Sequence, residues 1–139
     1  MNINQIQDAI IEEFGCFNQW ADKYEYIIDL GKKLPIIDDR YKTDSHLIRG
    51  CQSQVWLRAE MDNGTVRFTA DSDAIITKGI IALLVRVLAD QKPEDIANAE
   101  LYFIDAIGLQ EHLSPTRSNG LVHMVNTLKS IGDNFSKAH

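Results

Sequence analysis

The sequence predicts an α+β fold, a small antiparallel sheet with core-facing helices, in one domain spanning residues 1–139. Three observations predict it. Residues 54–61 and 65–70 alternate apolar and polar about an Asp62-Asn63-Gly64-Thr65 turn, helical apolar spacing precedes this pair, and a long apolar helical segment follows it. With 139 residues, 45% of them hydrophobic, the chain is of ordinary single-domain size.

Each element follows in order. Ile3, Ile6, Ile10, Ile11 and Phe14 mark a first amphipathic helix closed by Gly15. A second starts near Asn18, a candidate cap, carries Trp20, Tyr24, Ile27 and Ile28 on one face, and ends at Gly31. Between Gly31 and Gly50 no period is sustained, and so long a structureless stretch in a compact domain points to function. Val55, Leu57, Ala59 and Met61 then face one side of a strand, with Gln54, Trp56, Arg58 and Glu60 on the other.

The Asn-Gly pair predicts a two-residue hairpin turn. That turn sets Met61 opposite Val66, Ala59 opposite Phe68, Leu57 opposite Ala70, and Glu60 opposite Arg67 as an expected ion pair. Asp71, Ser72 and Asp73 offer capping groups for a central helix from about Ala74 to Ala89, apolar nearly all round. Pro93-Glu94-Asp95 reads as a short helix start, whereas ELYFIDAIGL, residues 100–109, is open between a third strand and a helical turn. Ser114-Pro115 starts a last helix carrying Leu121, Met124, Val125, Leu128 and Ile131, with Asn119-Gly120 as an interruption or a site of close approach.

Composition narrows the function. The net charge of −6 and the lack of any basic block disfavour nucleic acid. No secretory signal or membrane-spanning stretch is legible, so the expectation is a cytoplasmic protein with both cysteines reduced. Cys16, between Gly15 and Phe17, fits a packing role. Cys51 stands in polar, flexible company, after Arg49 and Gly50 and before Gln52, Ser53 and Gln54, which leaves packing and reactivity both open. The register brings it near the start of the central helix, whose N-terminus would favour a thiolate while Asp71 and Asp73 oppose one.

GCQSQVW, the hairpin after it, ADSDA with Lys78-Gly79 in the helix, and HLSPTRSNGL together resemble the SufE family of sulfur acceptors for cysteine desulfurases. The resemblance covers nearly the whole chain and implies a fold similar to the IscU-type scaffolds, with helices on one face of a small antiparallel sheet. It implies that Cys51 accepts sulfur as a persulfide from a SufS-type desulfurase, activates that enzyme, and relays the sulfur to a SufBCD-type scaffold for iron–sulfur cluster assembly. Pyridoxal phosphate would reside in the desulfurase, and this chain would bind no cofactor of its own. The family also implies a cysteine sheltered in an apolar pocket at rest and presented when the desulfurase docks. Arg117 is then the candidate positive charge for the persulfide anion, and Arg49, Gly50, Gln52, Ser53, Gln54, Asp71, Ser72, Asp73, Asn119 and Gly120 are the loop and partner-facing candidates. Cys16 lies outside the family pattern, and Lys78 stands where arginine is also common.

Other classes compete. An iron–sulfur scaffold needs about three or four converging thiolate or imidazole ligands, and only His46, His112 or His123 could join Cys51. A cysteine hydrolase would pair Cys51 with His112 or His123, but no oxyanion-hole signature accompanies it. An interaction module would use Trp56 as an exposed anchor, unless the long loop covers it.

Overall fold

The computed structural model describes residues 1–138. Its order is α1 (Ile3–Phe14), α2 (Trp20–Gly31), two single 3-10 turns at Asp39–Tyr41 and Asp44–His46, β1 (Val55–Asp62), β2 (Thr65–Ser72), α3 (Ile75–Leu88), α4 (Pro93–Ala97), α5 (Phe103–Ala106), α6 (Leu109–His112) and α7 (Pro115–Lys137). The fold is α+β, with β1 and β2 forming a two-stranded antiparallel sheet.

The hairpin forms because Asn63 and Gly64 both take positive φ, 53° and 84°, as a tight turn of matching twist requires. Its register is the expected one throughout, from Val55 opposite Ser72 to Asp62 opposite Thr65. Val55, Leu57, Val66, Phe68 and Ala70 are buried on the face toward the helices. The ion pair expected between Glu60 and Arg67 does not form. Arg67 reaches diagonally to Asp62 at 3.3 Å and Glu60 takes Arg58 at 3.1 Å, since long side chains on an exposed sheet face choose among several neighbours.

α3 runs through the middle of the core, with 11 of its 14 residues buried. It crosses α2 at Gly79 and Gly31, where the backbones meet with no room for a side chain at Gly79. α7 crosses α4 in the same way at Gly132, against Ile96 and the Pro93 carbonyl. Glu13 of α1 receives two hydrogen bonds from the Arg86 guanidinium of α3 and one from the Tyr26 hydroxyl of α2, which joins three helices at one carboxylate. The Arg86 bonds hold the Glu13 carboxyl below its ordinary pKa.

Several expectations on element ends need correction. α2 starts at Trp20 with no side-chain cap, not at an Asn18 cap; Phe17 packs on Tyr26 at 5.1 Å between ring centroids and Trp20 stacks on His112 at 4.6 Å, so aromatic packing places the start. Residues 100–109 supply no third strand. Phe103 and Ile107, both buried, are one helical turn apart, the Phe103 N–H donates to the side chain of Gln7 in α1, and Gly108 at φ 75° separates α5 from α6. Asn119-Gly120 does not interrupt α7, which continues to Lys137 behind a Ser114 cap.

The segment between α2 and β1 is not structureless. Its Pro35 and Ile37 exchange backbone hydrogen bonds with Ala70 on the outer edge of β2, and Ile48 donates to the Val55 carbonyl at the start of β1. Leu34, Ile37 and Ile48 are buried, so the segment is fastened at intervals along the hairpin and delivers Cys51 to a fixed place.

Candidate functional site

Cys51 lies where the end of that segment crosses the first turns of α3 and α7. Two glycines make the crossing possible. Gly50 has φ +88°, and a side chain there would overlap the His123 ring, so both its backbone shape and its surroundings require glycine. Gly120 offers a bare patch of α7 against which the Cys51 sulfur packs: a Cβ at Gly120 would stand 3.5 Å from Cys51 Sγ. The thiol donates to the Gly120 carbonyl at 3.7 Å, a long and weak contact.

The loop is held on its other side by Asp73, whose carboxylate accepts from the Gln54 N–H at 3.0 Å while its own N–H donates to the Gln54 carbonyl at 3.3 Å. This reciprocal pairing extends the hairpin by one step and explains why Asp73 does not cap α3, as sequence suggested. Asp71 does not cap it either. Its side chain receives Lys42 at 2.8 Å and Lys78 at 3.4 Å; burial opposes its charge, yet these ammonium groups keep the carboxyl below its ordinary range. Ser72 accepts from the Ala74 N–H, and α3 begins at Ile75 with no side-chain cap on Ala74.

A cavity of about 230 Å³ opens beside Cys51. Gln52, Ser53 and Arg117 line it, together with Thr77, Ile80, Gly120 and Met124. The structure thus brings Cys51, Gln52, Ser53, Arg117 and Gly120 to one place, with Gly50 behind them. Arg49, Gln54 and Asn119 are exposed nearby and do not line the cavity, and Asp71 and Ser72 serve the hairpin end and the start of α3. Among the described residues neither Arg49 nor Arg117 has a carboxylate within 4 Å. Thr77 is the residue that sequence reasoning missed. Its signal was present, since it sits one helical turn beyond Asp73, but it lay within a segment that read as uniformly apolar.

The thiol is half-buried, and burial pushes its pKa up. A helix N-terminus near Cys51 therefore does not make it a resting thiolate. The sign is clear for an acid: a raised pKa keeps the thiol protonated to higher pH, and only the thiolate is nucleophilic. Iodoacetamide should accordingly alkylate Cys51 several-fold more slowly at neutral pH than exposed Cys16, and the rate at Cys51 should climb as the medium becomes alkaline. Peptide-resolved mass spectrometry of a time course, with Cys16 as the internal standard, checks both.

The rival chemistries find little here. His123 packs its ring against Gly50, His112 stacks on Trp20, and neither lines the cavity as a base for Cys51 would. Among the described residues no group of three or more His, Cys, Asp or Glu side chains is placed to hold a metal ion. Trp56 is half-buried, with Lys42 Nζ 5.6 Å from its ring centroid and Leu47 paired beside it, so it is partly covered by the long segment. A larger cleft, about 650 Å³ between α1, α2 and α3, contains neither cysteine. Among the described residues no helix is long and apolar enough to cross a membrane.

Comparison with known proteins shows the family and the fold. Residues 8–131 match the family model SufE, described as an Fe-S metabolism associated domain. An uncharacterized SufE-like protein of Rhizobium meliloti (strain 1021) is 35% identical over 128 residues, covering 88% of this chain and 91% of the relative. A second, from Rhizobium etli, is 37% identical over 127 residues, covering 88% of this chain and 86% of the relative. The fold is shared with the solution structure of a hypothetical protein from Thermus thermophilus, at a TM-score of 0.76 and 20% identity, over 93% of this chain and 94% of that one.

Proposed function

The chain belongs to the SufE family, and on that premise we propose that Cys51 accepts a sulfur atom, as a persulfide, from the active-site persulfide of a SufS-type cysteine desulfurase. The observation that carries the reading is the placement of Cys51: a cysteine on a glycine-preceded loop, with a cavity beside it and, among the described residues, a single long hydrogen bond on its sulfur. The loop is fastened at Ile48 and Gln54, which leaves residues 49–53 as the part that moves when the desulfurase docks.

The transfer balances without an oxidant. The Cys51 sulfur attacks the outer sulfur of the donor persulfide, the donor S–S bond breaks as the new one forms on Cys51, and the thiol proton ends on the donor cysteine. Because burial raises the Cys51 pKa, the thiol in its pocket reacts slowly; leaving the pocket restores an ordinary thiolate fraction. Arg117, on the rim of the cavity, supplies fixed positive charge for the persulfide anion. Removal of sulfur from the desulfurase accelerates its turnover, and the loaded chain delivers to a SufBCD-type scaffold for iron–sulfur clusters. Pyridoxal phosphate belongs to the desulfurase, and we place the chemistry in the reducing cytoplasm.

Incubation with a SufS-type desulfurase and cysteine should add one sulfur atom to the intact mass, and peptide mapping should place it on Cys51. No gain, or sulfur on Cys16 alone, would overturn the reading.

A further inference from the structure

We propose that the hydroxyl groups of Ser53 and Thr77 form a dedicated binding site for the outer sulfur of the loaded Cys51 persulfide, holding it inside the cavity between acceptance and delivery. The inference rests on the sulfur-acceptor reading and adds where the cargo sits and what retains it.

The cavity has the room. Its volume of about 230 Å³ is several times the ~30 Å³ share of one water molecule, so one added sulfur atom fits without displacing the walls. Its floor is apolar, made by Ile80 at 1% and Met124 at 2% exposure, and an anion driven against such a surface is costly unless donors meet it.

Thr77 is the buried polar group in that wall. It is 4% exposed, and its Oγ1 stands 3.2 Å from Ser53 Oγ. Counting hydrogens shows what the pair offers. Two hydroxyls carry two protons, and one proton is spent inside the pair whichever atom donates. The other has no protein side-chain acceptor among the described residues, and both hydroxyls border the cavity that Cys51 enters. A persulfide anion is the acceptor this arrangement lacks.

Thr77 also lies in the first turn of α3, where backbone N–H groups have no helical partner and favour negative charge. A hydrophobe of the same shape, valine, would complete the apolar pocket equally well, so packing alone does not require the hydroxyl.

The reaction is unchanged by this site. Cys51–S–S⁻ forms as above, and the pair contributes its one free hydroxyl proton as a hydrogen bond to the terminal sulfur without proton transfer. Release to an acceptor thiolate breaks the Cys51 S–S bond, and Cys51 leaves as a thiolate that regains its proton from solvent.

The test loads the full chain in two ways, from a desulfurase with cysteine and from a small-molecule hydropersulfide, then follows loss of the extra sulfur mass in dithiothreitol. Compared at equal loaded fraction, Thr77→Val and Ser53→Ala should lose sulfur about tenfold faster than wild type, the weight of one charge-assisted hydrogen bond. Thr77→Ser, which keeps the hydroxyl, should restore the wild-type lifetime, and the thermal midpoint of Thr77→Val should stay within a few degrees of wild type. Equal lifetimes in wild type, Thr77→Val and Ser53→Ala would overturn the proposal. So would a fast loss that Thr77→Ser fails to correct. Loading from the small molecule but not from the desulfurase would instead sink the sulfur-acceptor reading, while the lifetimes still decide this one.

Discussion

Cys51→Ser is expected to lower desulfurase turnover, followed as alanine released from cysteine, to the level of the desulfurase alone. The reason is chemical. Sulfur transfer requires a thiolate, and a serine hydroxyl neither ionises near neutral pH nor replaces sulfur in the exchange. The substitution removes little volume from a half-buried position, so it should cost less than about 1.5 kcal/mol of stability. Binding to the desulfurase, measured by calorimetry, should persist, which separates lost chemistry from lost docking. Cys16→Ser should keep full stimulation, because Cys16, expected from sequence to pack, is instead exposed, and its sulfur has among the described residues one weak hydrogen bond, to the Glu12 carbonyl at 3.9 Å. Stimulation surviving in Cys51→Ser would show that the accepted sulfur travels by another route.

Gly79→Ala should destabilise the fold by roughly 3 kcal/mol or more. Two effects compete. Alanine in mid-helix is favoured over glycine by about 1 kcal/mol. Against that, the added methyl would overlap the backbone carbonyl of Ile27, and a backbone cannot swing aside as a side chain can. Separating α2 from α3 would loosen the packing around Ile80, Ile81 and Leu84, all buried, so the steric term wins. Gly15→Ala is the control: φ there is −62°, the added Cβ would meet only its own helix at 3.3 Å and 3.5 Å, and near-neutral stability is expected. Urea midpoints of the two variants, compared with wild type, decide it.

Much of the fold was legible because its signals are local. The Asn63-Gly64 turn, the two-residue alternation of the strands and the Ser114-Pro115 start need no knowledge of distant residues. What failed depended on choices between neighbours: Arg67 prefers Asp62 to Glu60, and Asp71 and Asp73 are claimed by two lysines and by Gln54 before they can cap α3. Asn119-Gly120 reads from sequence as a break or as a site of close approach, and the second is what forms. Here its role is clearance for Cys51, a contact across 69 positions that no window of sequence contains. Cys51 itself was found through a motif rather than through its surroundings, and its raised pKa could not be read from sequence, because burial is a property of the packed chain.

The short backbone contacts along the hairpin have a consequence for association. Leu47 sits beside β1, and Ile36 and Gln91 sit beside β2, so part of each outer edge is already spoken for. Arg58, Glu60 and Asp62 put charge along the rest of β1. A two-stranded sheet left bare on both sides would be a template for strand addition and for self-aggregation. With its edges blunted, the protein should meet partners through side chains and the Cys51 loop, and should tolerate the repeated docking and release that the proposed carrier role would demand.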